Sequence, residues 1–492
     1  MTNLSSQLGQ LETAQLVRRL AEPDLTYIFK HALVQDTAYE MLLKNRRRDI
    51  HRRVAEIYEQ LYADQSDEFA AVLSNHYWSG EVWERAANFA ILAGTGALRV
   101  FAIREALGHF ERALQSLKQL PAPSSLQEYE ALIGWANAAF GYRHYDEQME
   151  HLARAEKIAR EWNDKPRLAR SLYEIGRVHA AQGRYGRAIP VLVECFTLAD
   201  ALSDDRYKIL PTFVMGMTTL DVDLQQAIGY FEQAIELAQR YEDMDIEAQA
   251  WNAKAIVHAR RGEFAASQAA IAHGQALIDQ VKSPKAVSDF YLFAGWAFWE
   301  MGDAQTGLVC SKRSVELAQA SDNMDCLCGA FDCVGFNQLA GQQLTYAADA
   351  FQEAIRRSQI SGAKSFENLG RGGLAIAEFQ SGRSQALHDL EQAYAEAQST
   401  DLPMNAALMA LALGEIYADM SDWVRSEARL NQALDFFRRN QMTPYLARAL
   451  ESLARTYEHQ GETTQAEQAR AEADRLTHEL RQARGLLVAE SA

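Results

Sequence analysis

Three cysteines lie close together in the middle of the chain, and thiols at short spacing can bind a soft metal ion. They are Cys326, Cys328 and Cys333. On a helix, Cys326 and Cys333 share one face while Cys328 points away from it. A tetrahedral site needs converging ligands, so this spacing favours small residues that pack between helices. We therefore expect no metal site here.

Few other sequence features could support catalysis. The sequence contains no GxxxxGK[ST] phosphate loop, no HExxH and no CxxC. Gly94-Thr95-Gly96 falls inside a helical pattern, where close packing is a better explanation than phosphate binding. His31 and His51 have no nucleophile near them in sequence, so packing is favoured for them as well. We expect a protein that is not an enzyme and that needs no cofactor.

Charge and hydropathy restrict the choice of partner. The chain has 492 residues and a formal net charge of −17. Acidic proteins favour basic or neutral partners, and phosphate backbones favour basic ones, so nucleic acid is not the expected partner. No apolar run approaches the roughly 18 residues of a membrane helix, and no leader peptide is visible. The sequence predicts a cytoplasmic protein without a membrane partner.

One residue pattern recurs through most of the chain: a small residue, a bulky apolar residue four positions later and a small residue three after that. Good copies are Ala227/Phe231/Ala234 and Ala347/Phe351/Ala354. Successive copies begin about 40 residues apart. The spacing places the three residues on one stripe of a helix, here called helix B. A second helix, helix A, precedes each stripe and carries a small residue where the two must cross, as at Gly176 and Gly335.

These features resemble the tetratricopeptide repeat family over roughly residues 69–485. The best copies are residues 171–199 and 333–358, and Trp251 matches the family's helix A tryptophan. The resemblance implies an all-α fold, a right-handed α–α superhelix of about ten hairpins. We expect a solenoid over residues 67–485, a small winged-helix-like remnant over 1–66 and a tail over 486–492.

The family usually binds extended peptides on the concave face lined by helices A. The resemblance therefore implies a protein or peptide partner in that groove. Trp296 and Trp299, with Phe336 in the next repeat, form the most prominent candidate patch, although they could equally be core between helices. The residues expected on this face are Asn137, Tyr173, Arg177, Asn252, Trp296, Trp299, Asp332, Phe336 and Glu415.

Residues 24–60 and 70–98 resemble the junction between the winged helix and the solenoid in bacterial signalling ATPases of the STAND type. The matching residues are Phe29, His31, Ala32, Leu33, Tyr39, Leu42, Arg47, His51 and Ala55. The resemblance implies a sensor solenoid, with an ATPase or cyclase domain docking at this segment.

A basic run lies inside the same segment. It could be a solvated face or part of that docking surface, or it could contact DNA in a transcriptional regulator. Its residues are Lys44, Arg46, Arg47, Arg48, Arg52 and Arg53.

Overall fold

The computed structural model describes residues 2–20, 27–65 and 67–490. Within these ranges the chain is almost wholly helical, which confirms the all-α prediction, and one two-stranded sheet is present. Residues 24–26, which begin the segment that resembles the ATPase junction, lie outside the described ranges. So do residues 1, 66, 491 and 492 at the predicted domain boundaries and tail.

The first elements of the chain are short and largely exposed. Strands β1 and β2 pair antiparallel, with Val17 opposite Phe29. The order is α1 (Thr2–Thr13), β1 (Val17–Arg19), β2 (Tyr27–Phe29), α2 (Ala32–Glu40), α3 (Lys44–Leu61) and α4 (Ala70–Ser79).

Paired antiparallel helices make up the rest, and each odd-numbered helix from α5 onward is a helix A followed by its helix B. They are α5 (Trp83–Arg99), α6 (Ile103–Leu117), α7 (Ser125–Ala139), α8 (Tyr145–Glu161), α9 (Lys165–Ala181), α10 (Tyr185–Leu202), α11 (Arg206–Thr219), α12 (Leu224–Tyr241), α13 (Met244–Arg261), α14 (Phe264–Leu277), α15 (Pro284–Glu300), α16 (Ala304–Ala320), α17 (Met324–Ala340), α18 (Leu344–Ser361), α19 (Lys364–Gln380), α20 (Ala386–Ser399), α21 (Pro403–Asp419), α22 (Trp423–Arg439), α23 (Thr443–Gln460) and α24 (Thr463–Glu490).

The chain divides into two compact units, Met1–Gly134 and Trp135–Ala492. In the first, Ala55, Leu73 and Phe89 are buried where α3, α4 and α5 pack together. In the second, one large apolar core runs from α10 to α24. Helix α24 continues to Glu490, beyond the expected solenoid end at residue 485. The boundaries at 66/67 and 485/486 stay predictions.

The crossing of helices A and B has the predicted small-to-bulky contact. A Cβ atom added at Gly335 would lie 2.6 Å from the Phe351 ring, and one at Gly176 would lie 2.5 Å from Leu192. The Phe351 ring also contacts Gly373 of the following helix A. The Phe351 ring is therefore held between two helices A, and contacts of this kind bury the apolar face of one hairpin against the next.

Local sequence sets where the helices begin and end. Gly183 and Gly262 follow helices A with φ angles of +71° and +81°, the left-handed conformation that ends a helix. Pro284 and Pro403 are the first residues of α15 and α21, where the missing N–H costs no hydrogen bond. Turn glycines and prolines thus set the helix ends at these positions.

Candidate functional site

A cavity of about 530 Å³ in the second unit is surrounded by five consecutive helices A: α15, α17, α19, α21 and α23. A cavity of this size is in the range of ligand sites in proteins. Its wall is mostly apolar, and the larger apolar side chains that line it are Trp299, Phe336, Leu339, Leu369, Ile376, Phe379, Leu408, Met409, Leu411, Ile416 and Tyr445.

Two adjacent glycines of α19 widen the cavity. Gly372 and Gly373 present no side chain to it, and a Cβ atom at Gly372 would collide with Met409 of α21. Ala412, on the next helix A (α21), is also small and lines the cavity. The sequence therefore leaves room at the level where larger residues would fill the space between helices A.

Polar residues mark one end of the cavity. Gln380 and Asp419 are the last residues of α19 and α21, and Gln342 lies just beyond the end of α17. All three are exposed. The cavity therefore opens at the turns that follow these helices, with an apolar interior behind a polar mouth.

The one arginine of the wall is paired with an acid. Nε and Nη2 of Arg448 donate to the two carboxylate oxygens of Glu415 at 2.6 and 2.5 Å. A bidentate pair of this kind is geometrically specific and leaves no net charge. Desolvation lowers the pKa of Arg448, but Glu415 more than offsets this, and the pKa is raised. The wall is therefore suited to uncharged apolar side chains.

A hydrogen bond joins the first and last helices of the ring. Oη of Tyr445 in α23 donates to Oε2 of Glu300 in α15 at 2.6 Å. Nε of Arg260 donates to Oε1 of the same carboxylate at 2.9 Å. Burial raises the pKa of Glu300, while Arg260 and Tyr445 oppose that rise. The ring of helices A around the cavity is thus closed by a buried, partly compensated carboxylate.

Some of the residues predicted on the concave face line this cavity. Trp299, Phe336 and Glu415 do so. Trp296 does not, but its ring lies 5.4 Å from that of Trp299 and 5.8 Å from that of Phe336. Phe336 in turn lies 5.0 Å from Phe351 of the core. The aromatic patch is therefore both part of the core and, at Trp299, part of the cavity wall.

Two predicted face residues are instead buried in the helix stack. Asn252 has no exposed surface, and its Nδ2 donates to the backbone oxygen of Phe290 in the next helix A at 2.9 Å. Asp332 is also fully buried, close to Gly370 of α19. Both lie on the side of helix A that faces the following repeat, so the expectation that they line the open face is corrected.

The remaining predicted residues lie together, away from the cavity. Nη2 of Arg177 donates to Glu174 at 2.6 Å, and Nδ2 of Asn137 donates to the same carboxylate at 3.5 Å. The Arg177 guanidinium stacks on the Phe140 ring, 3.9 Å from its centre, and lies 5.7 Å from that of Tyr173. These contacts connect α7 to α9, so the cluster contributes to the joint between two repeats.

The basic run of α3 is partly used inside the first unit. Arg48 pairs with Glu81 at 2.7 Å, and Nε of Arg52 donates to the backbone oxygen of Gly80 at 2.6 Å. Arg47 lies over the Tyr39 ring. The exposed members are Lys44, Arg46 and Arg53.

Several cavity residues were not singled out from the sequence. Leu369, Gly372, Ile376 and Phe379 follow one another at three- and four-residue steps along α19. That period was visible, but it is also the period of any helix that faces a core. Tyr445 and Arg448 could not be found, because they complete the ring only through the superhelical return of the chain.

Two kinds of feature are absent from the residues that the structure describes. No helix there is long and apolar enough to span a bilayer. No group of three or more His, Cys, Asp or Glu side chains is placed to hold a metal ion.

The tetratricopeptide repeat family model matches residues 169–201. No curated protein sequence matches the chain. Among solved structures, the chain is similar to a Rap protein complexed with Competence and Sporulation Factor. The two share 12% identity over 72% of this chain and 98% of that one, with a TM-score of 0.54. This likeness shows the fold, a helical solenoid of tetratricopeptide-like hairpins.

Two other solved structures are more distantly similar. One is the Rap conjugation gene regulator of plasmid pLS20 in complex with the Phr* peptide, at 14% identity, 73% and 97% coverage and a TM-score of 0.44. The other is aspartyl phosphate phosphatase F from Bacillus subtilis, at 13% identity, 80% and 94% coverage and a TM-score of 0.41.

Proposed function

We propose that this chain is a non-catalytic binding scaffold, and that its interior cavity holds an extended peptide or protein segment by apolar side chains. The observation that carries the proposal is the apolar cavity enclosed by five consecutive helices A. Buried apolar contact is the main source of affinity for such a segment, and aromatic residues are frequent anchors. The fold shared with a Rap protein complexed with Competence and Sporulation Factor supports a binding role.

The composition of the wall indicates which residues the ligand presents. Its arginine is neutralised by Glu415, and Asp419 at the mouth pairs with Arg455 at 3.0 Å. An isolated charge on the ligand would lose its hydration here without finding a free counter-charge. We therefore propose that the ligand inserts leucine-like or aromatic side chains and keeps its charges outside the mouth.

The test begins with peptides selected against the full chain from a random library. We expect Trp299→Ala to weaken the selected peptides at least about tenfold, the effect of removing an aromatic hot spot. Ala340→Trp fills the mouth from an exposed position and should weaken them similarly. Trp162→Ala is the matched control, because Trp162 is exposed and lies outside the cavity.

Isothermal titration calorimetry gives each affinity, and a thermal melt of each variant confirms folding. Peptides that bind both cavity variants as tightly as the wild type would place the binding site elsewhere and overturn the proposal.

For the N-terminal segment we propose the docking of a protein domain. The supporting observation is that Leu33, Met41 and Leu43 are about four-fifths exposed, which is unusual for such large apolar side chains. The resemblance to STAND-type signalling ATPases suggests that the docked domain is the nucleotide-binding or cyclase part of such a system. The solenoid would then be its sensor.

Two measurements separate docking from DNA binding by the exposed cations Lys44, Arg46 and Arg53. Docking predicts co-purification with a nucleotide-binding or cyclase protein that is lost in a Leu33→Asp, Met41→Asp variant. DNA binding predicts a salt-dependent shift with duplex DNA that is lost when the three cations are replaced by Gln. A DNA shift without co-purification of such a protein would favour a DNA-binding transcriptional regulator.

A further inference from the structure

Contacts between distant parts of the chain run along one side of the second unit. They begin at the turn between α7 and α8, where Oη of Tyr145 donates to Oδ1 of Asp325 at 2.7 Å. At the next turn, between α9 and α10, Oη of Tyr185 approaches Oγ of Ser365 at 3.4 Å, and Gly183 contacts Leu402. Each contact joins a turn of one hairpin to the start of a helix A that lies five or six hairpins later.

The series continues through the next three hairpins. At the turn between α11 and α12, Oδ1 of Asn440 accepts from the buried backbone N–H of Leu224 at 2.9 Å. Gly262, after α13, packs against Thr443 and Leu480. At the turn between α15 and α16, the Arg484 guanidinium donates to the backbone oxygen of Met301 at 3.1 Å. We name this continuous line of contacts the seam.

The seam closes the gap between successive superhelical turns. An ordinary solenoid leaves that gap open, so a partner can lie sideways in the groove. In this chain the connections between helix A and helix B of five successive hairpins, from α7/α8 to α15/α16, are covered by later helices. The turns after α17, α19 and α21 belong to later hairpins, and the polar mouth of the cavity lies beside them.

We infer that the cavity selects ligands with a free end: a short peptide or the terminus of a longer chain, in place of an internal segment between folded domains. The inference rests on the proposed function and specifies its ligand class. An internal segment can reach the cavity only by crossing the seam or by inserting as a hairpin through the mouth. Crossing would break several hydrogen bonds and apolar contacts together, which makes it a rare opening.

The experiment measures access without knowing the natural ligand. A single reactive cysteine is placed inside the cavity as Leu408→Cys, in a Cys310→Ser background. Cys310 is the only half-buried native cysteine, and the other four are buried. Val424→Cys, on the exposed outer face of α22, gives the reference rate for each reagent. Ile376→Cys is a second cavity position if Leu408→Cys does not fold.

Three maleimides are compared: N-ethylmaleimide, a flexible peptide of about ten residues with the maleimide at one free end, and the same peptide with the maleimide at its middle and a folded domain at each end. That linker spans at most about 35 Å. Relative to Val424→Cys, we expect the first two to label the cavity cysteine readily. The doubly blocked peptide should be slowed by at least about tenfold more, since it must either enter the mouth as a hairpin or wait for the seam to open.

Equal relative rates for the free-ended and the doubly blocked peptides would overturn the inference, because they would show that an internal segment reaches the cavity as easily as a free end does. This outcome is distinguishable from failure of the proposed function, which is judged by peptide affinity in Trp299→Ala. A cavity that binds peptides and also admits the blocked probe would keep the function and refute the selection for free ends.

Discussion

Tyr445 and Glu300 are 145 residues apart in sequence, yet the tyrosine hydroxyl donates to the glutamate carboxylate at 2.6 Å. Both side chains are buried or nearly so. The bond joins the last helix A to the helix A four hairpins earlier. It therefore helps to fix the diameter of the ring, and the shape of the cavity depends on a contact that no single repeat contains.

Tyr445→Phe tests the contribution of this bond. The change leaves the Glu300 carboxylate buried with Arg260 as its remaining partner, and a lost bond to a buried charge costs about 1.5–3 kcal/mol. We expect the free energy of unfolding to fall by that amount in urea titrations followed by circular dichroism.

Tyr394→Phe is the matched control for this substitution. Oη of Tyr394 donates at 2.7 Å to Gln432, a neutral and exposed partner that water can satisfy. We expect a loss below about 1 kcal/mol. Equal losses for the two variants would mean that Glu300 finds another donor and that the ring closure does not depend on Tyr445.

Gly335 and Gly229 allow a test in which the same substitution has opposite effects. Both are helical, and alanine normally stabilises such a position by about 1 kcal/mol. Gly229 is exposed, with nothing within 4 Å of an added Cβ, so Gly229→Ala should stabilise the protein. Gly335→Ala should destabilise it by about 1–3 kcal/mol, because the Phe351 ring is held from the other side by Gly373 and cannot retreat.

Thermal and urea unfolding of the two variants show whether each substitution raises or lowers the free energy of unfolding. Stabilisation by both substitutions would show that the Phe351 ring has room to move and that the crossing is less tightly packed than the structure indicates.

The contrast between the helix crossing at Gly335 and the cavity explains which features could be predicted from the sequence. The crossing of Gly335 and Phe351 lies inside one hairpin, and its spacing recurs with every repeat, so the fold and the helix order followed from periodicity. The cavity is different. Trp299 and Phe336 were found because aromatics on adjacent helices A stand out, but nothing in the repeat indicated Tyr445 or the seam.

The errors have the same physical origin. The sequence predicted Asn252 and Asp332 on the open face because a helical phase, carried from repeat to repeat, accumulates an angular error. A rotation of one residue, about 100°, moves a side chain from the groove to the interface with the next repeat.

Asp332 is expected to make stability depend on pH. It is fully buried, and among the described residues neither carboxylate oxygen has a hydrogen-bond partner. Burial raises its pKa well above the ordinary value. The folded chain therefore holds this proton more tightly than the unfolded chain, so folding is penalised increasingly as pH rises above about 4.

Asp332→Ala removes that penalty. We expect the variant to gain stability relative to the wild type as the pH is raised from about 4 to 8, measured by urea titrations across the range. Asp389→Ala, on the exposed surface of α20, should follow the wild-type curve. A constant difference between Asp332→Ala and the wild type at all pH values would mean that the carboxyl group is not held neutral.

In the first unit, a pair of histidines should make the protein less stable as the pH falls, the opposite of the effect of Asp332. Nδ1 of His51 in α3 lies 2.9 Å from Nδ1 of His76 in α4, and Nε2 of His51 lies 3.0 Å from Oη of Tyr39 in α2. One Nδ1 must donate and the other accept, so both rings cannot be protonated in this arrangement. Burial lowers the pKa of both, and for His76 the neighbouring His51 lowers it further.

A base whose pKa is lowered by folding takes up its proton more readily in the unfolded chain. The contribution of the pair is therefore complete above the unfolded pKa of about 6.5 and is lost as the pH falls below it. We expect the contact between α3 and α4 to weaken between about pH 7 and 5.

His76→Gln removes the titration of one member of the pair. We expect the melting temperature of this variant to fall less steeply with decreasing pH than that of the wild type. His388→Gln is the control, since His388 is exposed on α20 and its Nε2 lies 2.8 Å from Nε2 of Gln392 on the same helix. It should keep the wild-type slope. If His76→Gln also kept that slope, protonation of the pair would be uncoupled from folding, and the two rings would have to separate in solution at little cost.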